Sequence, residues 1–400
     1  MSKLDDLINE LCPNGVEYKK IGDVCEIGKG IQFNKENMLD VGTYPVINGG
    51  INPSGYIEQY NQKENTITIS QGGASAGFVN WIKTKFWAGA HCYVLHPNEN
   101  IVLNRYLFHF VKSKEFKLQE YQYGAGIPAL SKNTVSDIQI PVPPLEIQNE
   151  IVRILDNFTE LTSELTSELT ARKKQYEYYR DSLLTFDDSV EWKTLEELCT
   201  KVTDGSHFSP KATEKGYPMP SVKDMRFNSF DLSNCKKISE KDYTELVKTG
   251  CKPLLNDVLI AKDGSMLKYA FPIKEELDLV ILSSIAILRP KTDLISPDYF
   301  AHYFRQDSFR EIVIRDYSSK GGVPRIVLKN FKKIKIPVPT LEKQKQIVTI
   351  LDRFETLCND ITSGLPAEIE ARKKQYEYYR DKLLSFKKME IYNNEQNSLH

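Results

Sequence analysis

The chain has 400 residues, 40% of them hydrophobic and 27% charged, which excludes extended disorder and collagen-like repeats. Its length suits roughly two to four domains. Lys and Arg number 53 against 54 Asp and Glu, so any nucleic-acid surface must be a local patch on a nearly neutral chain.

No apolar run is long enough to span a membrane, and the charged opening Met1-Ser2-Lys3-Leu4-Asp5-Asp6-Leu7 does not read as a secretory signal. The 7 cysteines form no CxxC pair, and their odd count argues against a disulfide framework. A reduced, cytoplasmic chain with inert cysteines is the expectation.

In chain order, the first globular stretch is residues 16–144. It holds a β-rich run, Thr66-Ile67-Thr68-Ile69-Ser70, that leads into the glycine-bearing loop Gln71-Gly72-Gly73-Ala74-Ser75. A helix is predicted near 105–119, and Ile140 and Val142 suggest a closing strand. Pro143-Pro144 stops that strand and can start a helix.

From Leu145 to about Phe186 the pattern is helical. Ile147, Ile151, Ile154, Phe158, Leu161 and Leu165 alternate spacings of four and three, the seam of a coiled coil. Within the segment, Thr162-Ser163-Glu164-Leu165 is followed by Thr166-Ser167-Glu168-Leu169. Such a unit can be gained or lost while the helix persists, and each adds about 6 Å of length.

The second globular stretch, residues 190–340, has its own β-rich run, Val258-Leu259-Ile260-Ala261, leading into Lys262-Asp263-Gly264-Ser265. A helix is predicted near 297–310. The final helical segment runs from Leu341 to Phe386, with Ser363-Gly364-Leu365-Pro366 predicted to break it into two helices.

The two halves are copies of one unit. Residues 171–181, Ala-Arg-Lys-Lys-Gln-Tyr-Glu-Tyr-Tyr-Arg-Asp, recur letter for letter at 371–381. Ile138-Gln139-Ile140-Pro141-Val142-Pro143-Pro144-Leu145-Glu146 matches Ile334-Lys335-Ile336-Pro337-Val338-Pro339-Thr340-Leu341-Glu342. The globular halves agree only faintly: Val16-Glu17-Tyr18-Lys19 with Val190-Glu191-Trp192-Lys193, Gly126-Ile127-Pro128 with Gly322-Val323-Pro324, Tyr106 with Tyr299, and His109 with His302. Matched helices and drifted lobes suggest one kind of partner met twice and two different targets. A coiled coil that only spaces the lobes would not need the repeated segment.

The expected class is therefore α+β. Two globular domains are separated by two long antiparallel coiled-coil segments, with a pseudo-twofold internal repeat. The expected boundaries are 1–144, 145–186, 187–340, 341–388 with a break near 364–366, and a tail at 389–400.

Catalytic signatures are absent. There is no P-loop, and Gly28-Lys29-Gly30 is an isolated fragment. Asn52-Pro53-Ser54-Gly55-Tyr56 only superficially resembles the Asn-Pro-Pro-Tyr loop of adenine methyltransferases. The 6 histidines show no metal-ligand spacing. Lys320, Arg325, Lys329, Lys332, Lys333 and Lys335 form one basic cluster opened by Gly321 and Gly322. Such a cluster suits phosphate contact and equally suits a solvated face. The DNA-binding candidates are Gln71, Lys83, Lys85, Ser131, Lys132, Asn133, Lys262, Ser265, Lys320, Arg325, Lys329, Lys332 and Lys333. The partner-interface candidates are Arg172, Lys173, Tyr176 and Tyr179, with Arg372, Lys373, Tyr376 and Tyr379, because Tyr and Arg anchor interfaces.

The opening Leu11-Cys12-Pro13-Asn14-Gly15-Val16-Glu17-Tyr18, the paired Ile-Pro-x-Pro-x-Leu-Glu-x-Gln entries at 140–148 and 336–344, and the Thr-Ser-Glu-Leu tandem before Ala171-Arg172-Lys173-Lys174-Gln175-Tyr176 resemble the specificity (S) subunit of type I restriction–modification enzymes. The tandem is similar to a subgroup with a four-residue Thr-x-Glu-Leu spacer repeat. The resemblance implies two target recognition domains reading the halves of a split site in double-stranded DNA. It implies docking of two modification (M) subunits and, in the full complex, two restriction (R) subunits. S-adenosylmethionine, ATP and Mg would sit on those partners, with no cofactor, metal or catalytic residue in this chain. The competing readings are a self-sufficient methyltransferase fused to its own reader and a coiled-coil adaptor without a DNA role.

Overall fold

The computed structural model describes residues 3–120, 129–318, 325–359 and 363–389. Lys320, Gly126-Ile127-Pro128, Gly321 to Pro324 and the tail beyond Met389 lie outside the described residues. The chain divides into two compact units, residues 1–166 with 368–400, and residues 167–367. These units cut across the expected segments, because each lobe takes in helix from both copies of the repeat.

The first unit is built on a four-stranded antiparallel sheet in the order Cys25–Lys29, Cys92–Pro97, Thr66–Ser70, Val79–Ile82. The central Thr66–Ser70 is buried along its whole length. Its side chains alternate between faces, as a strand requires. Ile67 and Ile69 join Ile27, Tyr93 and Leu95 in the main core, with Tyr106, Leu107 and Phe110 of the helix Asn104–Ser113. Ile82, Cys92 and Val94 face a smaller cluster with Ile47 and Phe86.

The second unit repeats the plan with Cys199–Asp204, Ile285–Pro290, Val258–Ala261 and Ala270–Pro272. Val258 and Ile260 pack with Tyr299, Phe300 and Phe304 of the helix Pro297–Phe304. Leu259 and Ala261 fill the opposite cluster with Phe271 and Ile281.

The predicted closing strand forms in both units. Glu17–Lys20 pairs antiparallel with Gln139–Val142, and Trp192–Thr194 with Lys335–Pro337. The matched Ile-Pro-x-Pro-x-Leu-Glu-x-Gln stretch acquires a structural reason here. Its last residue is a fully buried glutamine, Gln148 or Gln344. Gln148 Nε2 donates to Pro143 O and Ile101 O, while its Oε1 accepts from Leu103 N. Gln344 donates to Pro339 O and Leu294 O and accepts from Ser296 N. The hydroxyls of Tyr106 and Tyr299 likewise donate to Pro141 O and Pro337 O. An apolar substitute would orphan these buried backbone groups, so both copies retain the same letters.

The helix Leu145–Leu183 runs unbroken, and the second copy is split into Leu341–Asn359 and Leu365–Leu383. The buried line of the first helix is Ile147, Ile151 and Leu155, not the predicted Ile154, which is half-buried, and Leu161 is 44% exposed. A four-residue stride holds where the helix lies on its lobe, and the 4–3 seam fails beyond Phe158.

In the second unit, the segment 171–181 lies antiparallel on Leu341–Asn359. Tyr179 stacks on Phe354 at 5.5 Å, and Arg172 and Lys173 sit toward Cys358. In the first unit, Tyr379 stacks on Phe158 at 5.4 Å. Each repeated segment thus packs on the leading helix of the other copy.

Beneath each lies a buried histidine. In the first unit His109 Nε2 lies 2.9 Å from Asp156 Oδ1 and its Nδ1 lies 3.0 Å from the Tyr376 hydroxyl. With Nε2–H donating to the carboxylate, Nδ1 accepts from the tyrosine, which is the neutral imidazole. In the second unit His302 Nε2 lies 2.8 Å from Asp352, and the Tyr176 hydroxyl donates to Glu355 at 2.7 Å. Glu355 is also 3.1 Å from Arg305 Nη1 and 3.2 Å from His302 Nδ1.

Two predictions follow from these clusters. Burial by itself would raise the Glu355 carboxyl, but Arg305, His302 and Tyr176 outweigh it and hold it at about 2. Tyr176→Phe removes one donor from that buried carboxylate and should cost about 1–3 kcal/mol in a denaturant titration, while exposed Tyr178→Ala stays near zero. Burial also lowers the pKa of His109, against the pull of Asp156. The unfolded chain then takes up a proton that folded His109 refuses. Stability should fall as pH drops below 6.5, and His109→Asn should flatten that part of the melting-temperature profile.

Candidate nucleic-acid interface

In the first unit, four segments meet at one end of the sheet. Thr66–Ser70 leaves the sheet at Gln71, whose N–H donates to His91 O, and Gln71 O accepts from Leu130 N. Gly72 bridges to Ala129, and Gly30 N–H donates to Cys92 O. In the second unit the same end gathers Gly205, Lys262, the turn before Ile285 and Arg325. Gly205 N–H donates to Ile285 O, Lys262 N–H to Ser284 O, and Asp263 bridges to Arg325. The glycine turns after the central strands match too, with Gly73 at φ +78° and Gly264 at φ +68°, and nothing within 4 Å of an added Cβ. Each unit therefore carries one rim, assembled from loops far apart in sequence.

The candidate residues divide on this rim. Gln71, Ser131, Lys132 and Asn133 come together in the first unit. Lys132 and Asn133 are exposed, but the Ser131 hydroxyl caps the helix Lys132–Ser136 by accepting from Thr134 N. Gln71 Oε1 is buried and has no hydrogen-bond partner. Lys83 and Lys85 do not join them. They follow Ile82, which pairs with Thr66 at the opposite end of the sheet, and the Lys85 ammonium lies over the Tyr60 ring.

In the second unit Ser265, Arg325, Lys329 and Lys333 are exposed, and Lys332 lies 3.4 Å from the Glu196 carboxylate on the surface. Lys262 departs from its expected role. It is 5% exposed, and its ammonium lies 3.4 Å from both Asp204 and Asp263, so it is a structural counter-charge. A buried lysine charge is costly unless paired in this way. Two tips on these rims escaped sequence reasoning, Gly30-Ile31-Gln32-Phe33 and Gly205-Ser206-His207-Phe208. The shared Gly-x-x-Phe after matched strands was the available signal.

The helical candidates divide as well. Tyr176 is buried on Glu355, and Tyr376 is half-buried on His109, so neither is a free surface group. Tyr179 and Tyr379 keep 40% and 37% exposure while stacking on their phenylalanines. Arg172 and Arg372 pair with Glu168 and Glu368 one turn back. Lys173 and Lys373 are exposed, and so are Tyr178 at 70% and Tyr378 at 63%.

All 7 cysteines are free and buried, and burial pushes the thiols of Cys25, Cys92 and Cys199 up to about 12, leaving them unreactive at neutral pH. His302, Asp352 and Glu355 gather donor atoms within 4.8 Å. Arg305 already supplies the positive charge there and Tyr176 takes a carboxylate lone pair, so the cluster is a closed ion network. Among the described residues no helix is long and apolar enough to cross a membrane.

The duplicated plan has a family. Residues 13–172 and 188–371 match the type I restriction modification DNA specificity domain, once per copy of the repeat. The chain belongs to this family. Its role is DNA sequence specificity, and it is a specificity subunit rather than a catalytic chain. It is 33% identical to the type I restriction enzyme EcoR124I/EcoR124II specificity subunit of Escherichia coli, covering 98% of this chain and 99% of that one. Its fold is similar to the crystal structure of a type I restriction–modification S subunit from M. genitalium, with a TM-score of 0.59 at 18% identity over 92% and 96% of the two chains. A chain from a structural study of type I complex assembly and conformational transition has a TM-score of 0.58 at 17% identity, over 93% and 98%.

For this specificity subunit the rim separates exposed cations, Arg325, Lys329 and Lys333, from the buried and paired Lys262. Arg325→Ala and Lys329→Ala should each lower the salt dependence of DNA binding by about one phosphate contact, read by fluorescence anisotropy across a salt series. Lys83→Ala, at the far end of the sheet, should leave that slope unchanged. Lys262→Met should instead destabilise the second unit by about 3 kcal/mol, because Asp204 loses its buried counter-charge.

Proposed function

We propose that this subunit reads an interrupted, asymmetric site in double-stranded DNA, one half-site per recognition domain, and recruits two modification subunits through its duplicated helical segments. Two restriction subunits complete the assembly. S-adenosylmethionine is used by the modification subunits to methylate adenine N6 of a flipped base, and ATP and Mg serve the restriction subunits. The assembly works in the cytoplasm. The DNA-binding groups are Gln71, Lys132 and Asn133 on one rim and Ser265, Arg325, Lys329 and Lys333 on the other.

The observation that carries this reading is the exposed part of the repeated segment. Packing on His109 or Glu355 accounts for the tyrosines at 176 and 376, but not for Lys173, Lys174, Glu177 and Tyr178, which are exposed and recur at 373, 374, 377 and 378. Solvent alone does not require identical letters on an exposed face. Two equivalent partners would. The docking face is thus Arg172, Lys173, Tyr178 and Tyr179 with Arg372, Lys373, Tyr378 and Tyr379. The related chain from the study of type I complex assembly supports a role within such a complex.

The Thr-Ser-Glu-Leu tandem supports membership of the subgroup whose spacer length is set by a four-residue repeat. Thr166 to Leu169 is fully within the helix Leu145–Leu183, so its loss removes about 6 Å without breaking the helix.

Mapping N6-methyladenine in the host with the gene present and absent tests the function. A two-part motif that vanishes with the gene is expected, and an unchanged methylation pattern would sink the proposal. Deleting Thr166 to Leu169 should shorten the gap by one or two base pairs, at ~3.4 Å per pair, while both half-sites keep their bases.

A further inference from the structure

We propose that the loop tips Gln32-Phe33 and His207-Phe208 read base edges, one tip in each half-site, and are specificity-determining residues. The inference rests on the DNA reading above and names which side chains carry it.

The two tips occupy the same place in their units. Each follows the first strand of its four-stranded sheet and turns at a glycine pressed against backbone. A Cβ on Gly30 would meet Gly89 O at 2.1 Å, and one on Gly205 would meet Ile281 O at 2.1 Å. Both tips therefore join the rim that also carries the Gly73 and Gly264 turns.

Gln32, His207 and Phe208 are exposed and Phe33 is half-buried, while the backbones beneath them are pinned. The imidazole of His207 is 77% exposed and Phe208 is 67% exposed. Beneath them the Ser206 hydroxyl, 7% exposed, donates to Phe208 O at 2.7 Å and accepts from Phe208 N at 3.1 Å. The buried Asp204 carboxylate lies 3.4 Å from His207 Nε2 and 3.4 Å from the Lys262 ammonium. A surface turn has no need of a buried ion pair under an exposed imidazole. A reader that must arrive in a set orientation has that need. In the first unit Trp87 Nε1–H donates to Ile31 O at 3.1 Å, and Phe33 meets the Trp87 ring edge-on at 5.3 Å, leaving Gln32 exposed.

The chemistry of the two tips differs, as two unlike half-sites demand. A glutamine amide both donates and accepts, matching N6 and N7 of adenine in the major groove. An imidazole whose Nε2 is turned to Asp204 offers its Nδ1 edge to a base. The neighbouring Phe208 suits the methyl group of thymine. Below the tips the charges differ also: Lys29 and Gln71 in the first unit stand where Asp204 and Lys262 stand in the second.

The test is adenine-methylation mapping with the complete system carrying Gln32→Ala, His207→Ala or Phe208→Ala. Gln32→Ala should relax one position of one half-site. His207→Ala and Phe208→Ala should relax positions of the other half-site only. Discrimination at a relaxed position should fall about tenfold, within the range of a good base contact. His207→Gln and Phe208→Leu, which preserve bulk, check that a change of motif is not a folding defect.

Unchanged motifs in every variant would overturn the inference while leaving the function intact. So would uniform loss of methylation by a variant that assembles and melts like the parent. Absence of any two-part motif for the unaltered system would instead overturn the reading on which the inference rests.

Discussion

In each unit a buried histidine ties the lobe to the helical segments packed on it. His109 and His302 lie on the helices behind the sheets, hydrogen-bonded on one side to Asp156 and Asp352. On the other side His109 Nδ1 meets the Tyr376 hydroxyl from the repeated segment of the other copy, whereas His302 Nδ1 lies 3.3 Å from Arg305 Nη2 and 3.2 Å from Glu355, the carboxylate that accepts from Tyr176. A polar group at such depth costs more unpaired than almost any single contact returns. The lobes and the helical segments are therefore bound by hydrogen-bond accounting as well as by the Phe158–Tyr379 and Phe354–Tyr179 stacks.

This changes how the letter-for-letter match is understood. Its residues serve two masters. Tyr176, Tyr376 and the shielded Arg180 belong to the interior, where Arg180 meets Asp181, Asp307 and Arg305 O. Lys173, Lys174, Glu177 and Tyr178 belong to the outside. Two helix turns supply both sets: at ~100° per residue, Lys174 and Tyr178 fall opposite Tyr176 and Arg180, with Glu177 and Lys173 at the flanks. The units also tolerate different interiors under the same segment. The second interposes a carboxylate and balances it with Arg305, whereas the first has Thr159 at the corresponding place and lets tyrosine and histidine meet directly.

The rims show the reverse pattern. Their backbone frame is shared down to the glycines at 30 and 205 and at 73 and 264, while the side chains they present are not. A common frame with unlike side chains fits the proposed reading of one half-site by each unit. Lys262 is a caution against counting cations along a chain: a lysine in a polar loop is buried against Asp204 and Asp263.

The amino-acid sequence alone determined the duplication, the long helix and its broken counterpart, the buried central strands and the family, because periodicity, proline–glycine punctuation and a repeat are local properties of the letters. It even marked Gln148 and Gln344, Tyr106 and Tyr299, and His109 and His302 as paired, without disclosing why. Only the tertiary structure decided which copy's segment packs under which lobe, which tyrosine of the repeated segment turns inward, and that Lys83 and Lys85 stand apart from Gln71 while Lys262 is buried. These are outcomes of non-local pairing. A side chain's role depends on the strand, helix or carboxylate that long-range folding brings against it, and no spacing within the chain encodes that neighbour.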